Sequence, residues 1–340
     1  MKKAIIGVLK MAIPIALGVW LVLYFYRQLD EGQRAELFDA FGRANWWWLV
    51  LSIVFGWMSH MSRAWRWRYL LDSMGYRPGF WNCYHATMSG YFMNLLIQRA
   101  GEASRAALLY RREKVPFAKG FGSIMAERAV DMILLMGLFG LTMLLQFDKL
   151  DLFKERIALF RATQGPAEPG GAFPWLWVVG GVLVMGAAAG AYFMVTRPVF
   201  HSRVMEILRG LGEGLRSVTR TKHPWGFIFH TFLIWFLYVL MFAVGFYCLP
   251  ETSHVPWAGI MAGFVAGAIG IVLVQGGIGV YPAFVALIVS MYMPTPEGGG
   301  LLRPEALAMG WLIWVAQTLM TIVLGGISLL LISRTKNPAV

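Results

Sequence analysis

Tyr91 to Arg112 reads YFMNLLIQRAGEASRAALLYRR, an apolar run that turns abruptly polar at Gln98. Arg99, Glu102 and Arg105 follow at spacings of three. On a helix these side chains share one face, where acid and bases partly neutralise one another. A charge at the centre of a bilayer costs at least about 2.5–3.5 kcal/mol, so such a face needs a cavity, a partner charge or the interface. Two readings stay open at this point: a functional polar site, or a cytoplasmic helix start with ordinary surface pairs.

A second stretch echoes the first. Ile271 to Phe284 reads IVLVQGGIGVYPAF. Laid on the earlier stretch, Gly267 falls on Gly90, Leu273 on Leu96, Gln275 on Gln98 and Ala283 on Ala106. Both are apolar runs that end at Gln and continue in small residues. A glycine break such as Gly276, Gly277 and Gly279 frees backbone groups that lipid cannot satisfy. It is tolerated only inside protein or beside a wet cavity. Interrupted segments in corresponding halves of a chain mark a binding site between repeats.

Composition sets the surroundings. The 340 residues are 58% hydrophobic and only 14% charged, with mean hydropathy +0.60. A soluble domain carries about 25% charged residues, so the excess apolar surface must meet lipid. The net charge of +12 sits in short connections beside apolar spans. That is the positive-inside pattern and an attraction to anionic headgroups, and it argues against nucleic acid as the partner. Cys83 and Cys248 lie in apolar segments and form neither a disulfide framework nor a metal-ligand spacing.

Charge parity then orders the spans. Lys2, Lys3 and Lys10 precede a first helix, Met11 to Tyr26, read as retained with a cytoplasmic N-terminus. The connection 27–43 has three bases against four acids and is expected outside. Trp46 to Arg63 spans back, and the WRWR alternation after it predicts a snorkelling interfacial collar. If 80–97 crossed fully, 99–119 would lie outside with six bases against two acids, against the charge rule. A re-entrant hairpin over 80–112 removes the conflict. Phe117 to Phe147 goes out, and the connection 148–173, charge-balanced, is expected to lie on the outer surface. Trp175 to Val195 returns, and 198–222 reads as a basic amphipathic helix on the cytoplasmic surface. Trp225 to Leu249 goes out, a second hairpin over 256–293 enters from outside, and Glu305 to Ile332 returns. The expected fold is an all-α polytopic membrane bundle with two inverted broken-helix hairpins. It forms a single transmembrane domain over 1–340, with halves 1–147 and 174–340.

Glu127, Arg128 and Asp131 stand two to three turns into the Phe117 helix. Glu127 and Asp131 share a face at i,i+4, so the carboxylates repel unless a base joins them. Arg128, Arg99 or Arg105 can be that base. A structural ion pair between helices and a substrate site both fit the spacing. No phosphate-binding loop of the Walker type, no zinc spacing and no assembled nucleophile set is present, so no catalytic residue, cofactor or metal is expected. His60, His85 and His230 read as hydrogen-bonded interior groups.

Three motifs in order resemble a known family. Asn94 to Arg105 gives N-x-x-x-Q-R-A-G-E-x-x-R, Ala126 to Asp131 gives A-E-R-x-x-D, and Gln275 to Pro282 gives Q-G-G-I-G-x-Y-P. Together they resemble the flippase-like integral membrane family that includes the transmembrane region of lysylphosphatidylglycerol synthase. The resemblance implies handling of a phospholipid or polyprenyl-linked lipid. The family often has Pro where Gln98 and Gln275 stand, and Glu where Tyr281-Pro282 follow the second glycine motif. The soluble aminoacyl-transfer domain of the synthase has no counterpart among these residues.

The leading expectation is lipid translocation without ATP in the cell (inner) membrane, with both termini cytoplasmic. Membrane lipids with anionic headgroups are the expected partners, beside a homo-oligomer or a lipid-modifying enzyme. The expected site comprises Asn94, Gln98, Arg99, Glu102, Arg105, Glu127, Arg128 and Asp131, with Gln275, Gly276, Gly277, Gly279 and Tyr281. A secondary transporter of a small polar solute and a non-transporting scaffold are the alternatives. The charge rule yields a direct test. A cysteine at Lys114, in a background lacking Cys83 and Cys248, should resist impermeant reagents from outside; strong labelling there would restore a full crossing at 80–97.

Overall fold

The computed structural model describes residues 29–97, 100–149, 221–294 and 302–334, with parts of 16–27 and 151–158. The expectations for Gln98, Arg99, the span 175–195 and the basic segment 198–220 fall outside these residues. Among the described residues every regular element is helical: α1 (Glu31–Arg43), α2 (Trp46–Ser73), α3 (Phe80–Leu96), α4 (Ala100–Glu113), α5 (Phe117–Gln146), α6 (Pro224–Gly245), α7 (Trp257–Leu273), α8 (Val280–Ser290) and α9 (Pro304–Arg334). Helices over Phe117–Lys149, Pro224–Cys248 and Pro304–Arg334 are long and apolar enough to cross a membrane. The chain is an all-α, multi-pass membrane protein.

The centre is the antiparallel pair α2 and α6. Trp48 meets Tyr247 at one end, with ring centroids 5.1 Å apart, and Tyr69 covers Gly226 at the other. Between them, Ser52 Oγ donates to the Met241 carbonyl at 2.8 Å, and Ser62 Oγ lies 2.8 Å from His230 Nδ1. Small side chains on the α2 stripe (Ser52, Gly56, Ser59, Ser62) let the helices approach closely, as membrane interfaces require.

Each half then makes a helical hairpin. In the first, Gly90 touches the Gly101 backbone and Arg105 Cβ, while Glu113 Oε1 accepts from the Gly79 amide at 2.9 Å. The open ends of α3 and α4 therefore lie together. In the second, Gly267 and Gly270 pack on Tyr281, and Gly259 packs on Tyr292. The halves correspond in detail. Helices α3 and α7 are both 17 residues long, about 25 Å at 1.5 Å per residue. Going from 80 to 257 and from 96 to 273 is the same shift. Both end in an extended cap residue, Ile97 and Val274, whose amides bond to the Met93 and Gly270 carbonyls. The echo in sequence is thus an echo in structure.

Packing between halves is reciprocal. Helix α3 meets α9 through Gly325 against Phe92 and Met88, and His85 lies 3.0 Å from Ser328 Oγ. Helix α7 meets α5, where Gln146 Nε2 donates to the Ala258 carbonyl at 3.0 Å. Equivalent helices α2 and α6 run antiparallel against each other, so the relation between the halves is a two-fold perpendicular to those helices. The hairpin tips converge on it: Leu95 contacts Gly276. Gly276, Gly277 and Gly279 take φ of 66°, 69° and 71°, the left-handed conformation that side chains with a Cβ resist. Trp314 Nε1 donates to the Gly276 carbonyl at 2.6 Å and satisfies one group freed by the break.

Two features differ from expectation. The connection 27–43 contains α1, opened by an Asp30–Gln33 capping box. Its Arg43 reaches Glu251 at 2.6 Å. Burial pushes the Glu251 carboxyl up, but the Arg43 bond outweighs it and leaves the group below its ordinary value. The second difference is at the end of α2. The helix continues to Ser73, and Arg63 and Arg66 do not snorkel: both are buried. The physical reason is that both fall on the inward stripe of α2, where α5 supplies carboxylates. Only Trp65 and Arg68 face outward in the manner of a collar, with the Arg68 guanidinium 4.6 Å from the Trp65 ring.

The tight first hairpin is testable. A Cβ at Gly101 would meet the Gly90 carbonyl and Asn94. Gly101→Leu should lower stability by about 1–3 kcal/mol, as overpacking does, seen as a lower melting temperature in detergent. Gly122→Leu, with nothing within 4 Å, should leave it unchanged.

Candidate functional site

Helices α2, α4 and α5 bring five buried charges together. The inward stripe of α4 is Gly101, Arg105, Ala106 and Leu109. That of α5 is Gly120, Ser123, Ile124, Glu127, Val130 and Asp131. Both follow the 3–4 spacing of an amphipathic helix, with charges set into otherwise small or apolar stripes.

Asp131 is held by two arginines. Arg63 Nη1 donates to Oδ2 at 2.5 Å and Arg66 Nη1 to Oδ1 at 2.7 Å. Arg66 also reaches Glu127 Oε1 from Nε at 3.4 Å and Thr231 Oγ1 on α6 at 3.3 Å. Glu127 faces Arg105, with Oε2 and Nη1 2.8 Å apart, although Oε2 lacks a hydrogen bond. The Arg105 guanidinium lies 3.8 Å from the Trp67 ring centroid. That ring is fixed by its own donation to Ser123 Oγ at 2.8 Å. On the outer side of the cluster, Arg128 Nη2 donates to Glu102 Oε1 at 2.9 Å.

Two properties of this cluster matter chemically. First, three buried guanidiniums face two buried carboxylates, a surplus of one positive charge. Arg66 and Glu127 are 0% and 1% exposed, so water does not screen it, and isolated buried charge is costly. Second, the unspent polar atoms are mostly donors. Arg63 Nε, Arg66 Nη2, and Arg105 Nε and Nη2 have no hydrogen-bond partner. The cluster can therefore accept an anion rich in acceptor oxygens, which guanidinium binds strongly.

A small cavity opens beside Arg105, lined by Gly90, Tyr91, Asn94, Glu102 and Arg128 among others. Its volume is ≈ 10 Å³, about one water. Any larger ligand requires α3 and α4 to separate from α5. Beyond it, Tyr91 lies over His60 with ring centroids 4.7 Å apart, and Arg63 Nη2 reaches Tyr238 Oη at 3.5 Å.

Of the expected site residues, Glu102, Arg105, Glu127, Arg128 and Asp131 come together. Asn94 joins them differently: its Oδ1 accepts from the Gly101 amide at 2.7 Å and bridges the hairpin tip. Gly276, Gly277 and Gly279 form the other tip, apart from the charges. Tyr281 belongs to the apolar core of the second hairpin. No group of three or more His, Cys, Asp or Glu side chains suited to a metal occurs among the described residues.

Sequence reading missed Arg63, which it placed at the end of the second span, and Arg66, which it placed in a collar. The available signal was spacing: residues 56, 59, 60, 63, 66, 67 and 70 form one helical stripe, and its other members are small, aromatic or apolar. His85 and His230 have the hydrogen-bonded partners expected, whereas buried His60 Nδ1 has none. The charges are also not repeated. Under the shift that relates α2 to α6 and the first hairpin to the second, Arg63, Arg66 and Arg105 correspond to Leu240, Ala243 and Pro282.

No curated protein and no solved structure matches this chain. A family model does: that of the lysylphosphatidylglycerol synthase TM region, over residues 11–326. Since that match spans most of the chain, the protein belongs to the lysylphosphatidylglycerol synthase transmembrane-region family, whose name ties it to membrane lipid.

Proposed function

We propose that this protein translocates a lipid with a phosphate-bearing headgroup across the cytoplasmic (inner) membrane, without ATP hydrolysis and without chemistry on the lipid. The observation that carries the reading is the buried cluster at Arg63, Arg66 and Arg105. It has a surplus positive charge and unspent N–H donors beside a cavity under the first hairpin tip. Moving a headgroup through hydrocarbon means desolvating a charge. A site that replaces water with fixed guanidinium donors reduces that cost.

The two hairpins supply the route. In this reading each is re-entrant, the first opening to the cytoplasm and the second outward, with both termini cytoplasmic. The headgroup binds when α3 and α4 part from α5, and passes the tip contact at Leu95 and Gly276 as the halves rock about the α2–α6 pair. At Gly276, whose φ is positive, the backbone amide is offered to the headgroup on the far side, while the Gly277 amide is held by the Val274 carbonyl. Gln98, Arg99 and Gln275 lie at or beside these tips in sequence and are assigned to the same path. Acyl chains stay in lipid. Exposed apolar residues at both tips favour a lipid over a small solute: Leu96 and Ile97 on one, Val272 (73% exposed) and Leu273 on the other. A sealed solute cavity would bury them.

The competing reading treats the cluster as a structural lock with no cargo. Removing one partner of a buried pair costs about 3–5 kcal/mol, so Glu127→Gln should lower thermal stability under either reading. Arg105→Gln separates them. It removes the surplus charge and leaves Glu127 with Arg66. Lipid translocation, followed with a fluorescent phospholipid in reconstituted vesicles, should fall at least tenfold while the melting temperature stays within a few degrees of wild type. Parallel loss of both, or normal translocation, would favour the lock.

A further inference from the structure

A second basic cavity lies at the far end of the α2–α6 pair. Helix α2 has 28 residues, about 42 Å of rise against about 30 Å of hydrocarbon. Its last two turns therefore project into the interface, together with the start of α6. Between them is a cavity of ≈ 230 Å³, lined by Trp65, Arg68, Tyr69, Asp72, Arg77 and His223. A further hollow beside it continues over Lys222 and Trp225. Neither includes a residue of the central cluster.

The lining is organised for an anion. The Arg68 side chain is fixed twice, by donation from Nε to the Pro78 carbonyl at 3.1 Å and by its place over Trp65. Its two terminal nitrogens make no hydrogen bond among the described residues and are free to bind. Asp72 gathers the other bases: Arg77 Nε donates to Oδ1 at 2.8 Å, and Lys222 Nζ lies 3.9 Å from Oδ2. Three cations and one carboxylate thus line the two hollows, leaving a net charge of +2. Trp65 and Trp225 are both exposed, the interfacial aromatic placement that flanks headgroups.

We propose that this cavity is a phosphate-binding site that holds the headgroup of an anionic phospholipid at the interface, separate from the translocation path. Arg68 makes the bidentate contact, because its plane is already set. Lys222 and Arg77 supply point charge, and the aromatic rim packs on the glycerol and ester region. The bound lipid ties the end of α2 to the start of α6, across the pair on which the two halves meet. A choline headgroup brings its own cation against the basic rim and binds more weakly.

The test uses the full chain in detergent with dihexanoyl phosphatidylglycerol, dihexanoyl phosphatidylcholine and inorganic phosphate as probes, read by equilibrium dialysis. Saturable binding of the glycerol lipid, at least tenfold tighter than the choline lipid, is expected. Arg68→Gln with Lys222→Gln should weaken it at least tenfold, and Arg34→Gln, a loss of charge on α1 outside both sites, should not change it. Arg68→Lys guards against misfolding: it keeps the charge but not the fork, and should show an intermediate loss at an unchanged melting temperature. Displacement by inorganic phosphate at the same concentration as the lipid would keep the phosphate site and assign its ligand to solution. Unchanged binding in the Arg68/Lys222 variant, or an equal loss in Arg34→Gln, would overturn the proposal. Loss of translocation with this binding intact would count only against the function proposed above.

Discussion

Asp131 sits between Arg63 and Arg66, and the rest of the structure depends on that arrangement. It joins α5 to α2, the helix on which the two halves meet. Two guanidiniums can be buried beside α6 only because a carboxylate lies 2.5 and 2.7 Å away. Desolvating these ions costs several kcal/mol each, and the attraction repays it only when geometry and further hydrogen bonds are good. Thr231 and Tyr238 on α6 supply some of those bonds. Glu127 then extends the network to Arg105 and so to the first hairpin. Four helices are connected through charges that none of them could bury alone.

The network stands on one half of a repeated architecture. The halves share the length and cap geometry of α3 and α7 and their hairpin packing, yet the second has Leu240, Ala243 and Pro282 where the first has Arg63, Arg66 and Arg105. Two hairpins with equivalent backbones therefore differ in chemistry: one is a charged clamp, the other a glycine-rich tip braced by Trp314.

The fold was largely legible in the sequence because its main signals are local. Span length, the ends of α3 and α7 at Leu96 and Leu273, and the echo of Gly90 in Gly267 all follow from composition and short spacing. The pairing of Glu102 and Arg105 with Arg128 and Glu127 was also within reach, since only a short connection separates α4 from α5. What failed was the contribution of α2. Arg63 and Arg66 lie more than sixty positions from their partners; Arg63 reads as the end of a span, and Arg66, between Trp65 and Trp67, matches an interfacial collar. Only the three-dimensional packing of α2 on α5 shows that the same alternation places Arg66 and Trp67 inward and Trp65 and Arg68 outward. Tyr281 adjoins the glycine tip in sequence, and the structure places its ring in the space left by Gly267 and its backbone against Gly270.

The central claim is that the cluster holds a headgroup and does more than hold helices together. A charge-reversed pair, Arg105→Glu with Glu127→Arg, tests it most directly, because it preserves the attraction between α4 and α5 but moves the free donors away from the cavity. Thermal stability and lipid translocation of this double variant should be measured against both single variants. The account predicts that the swap recovers stability lost in the singles while translocation stays at the background of empty vesicles. Recovery of both together would contradict it.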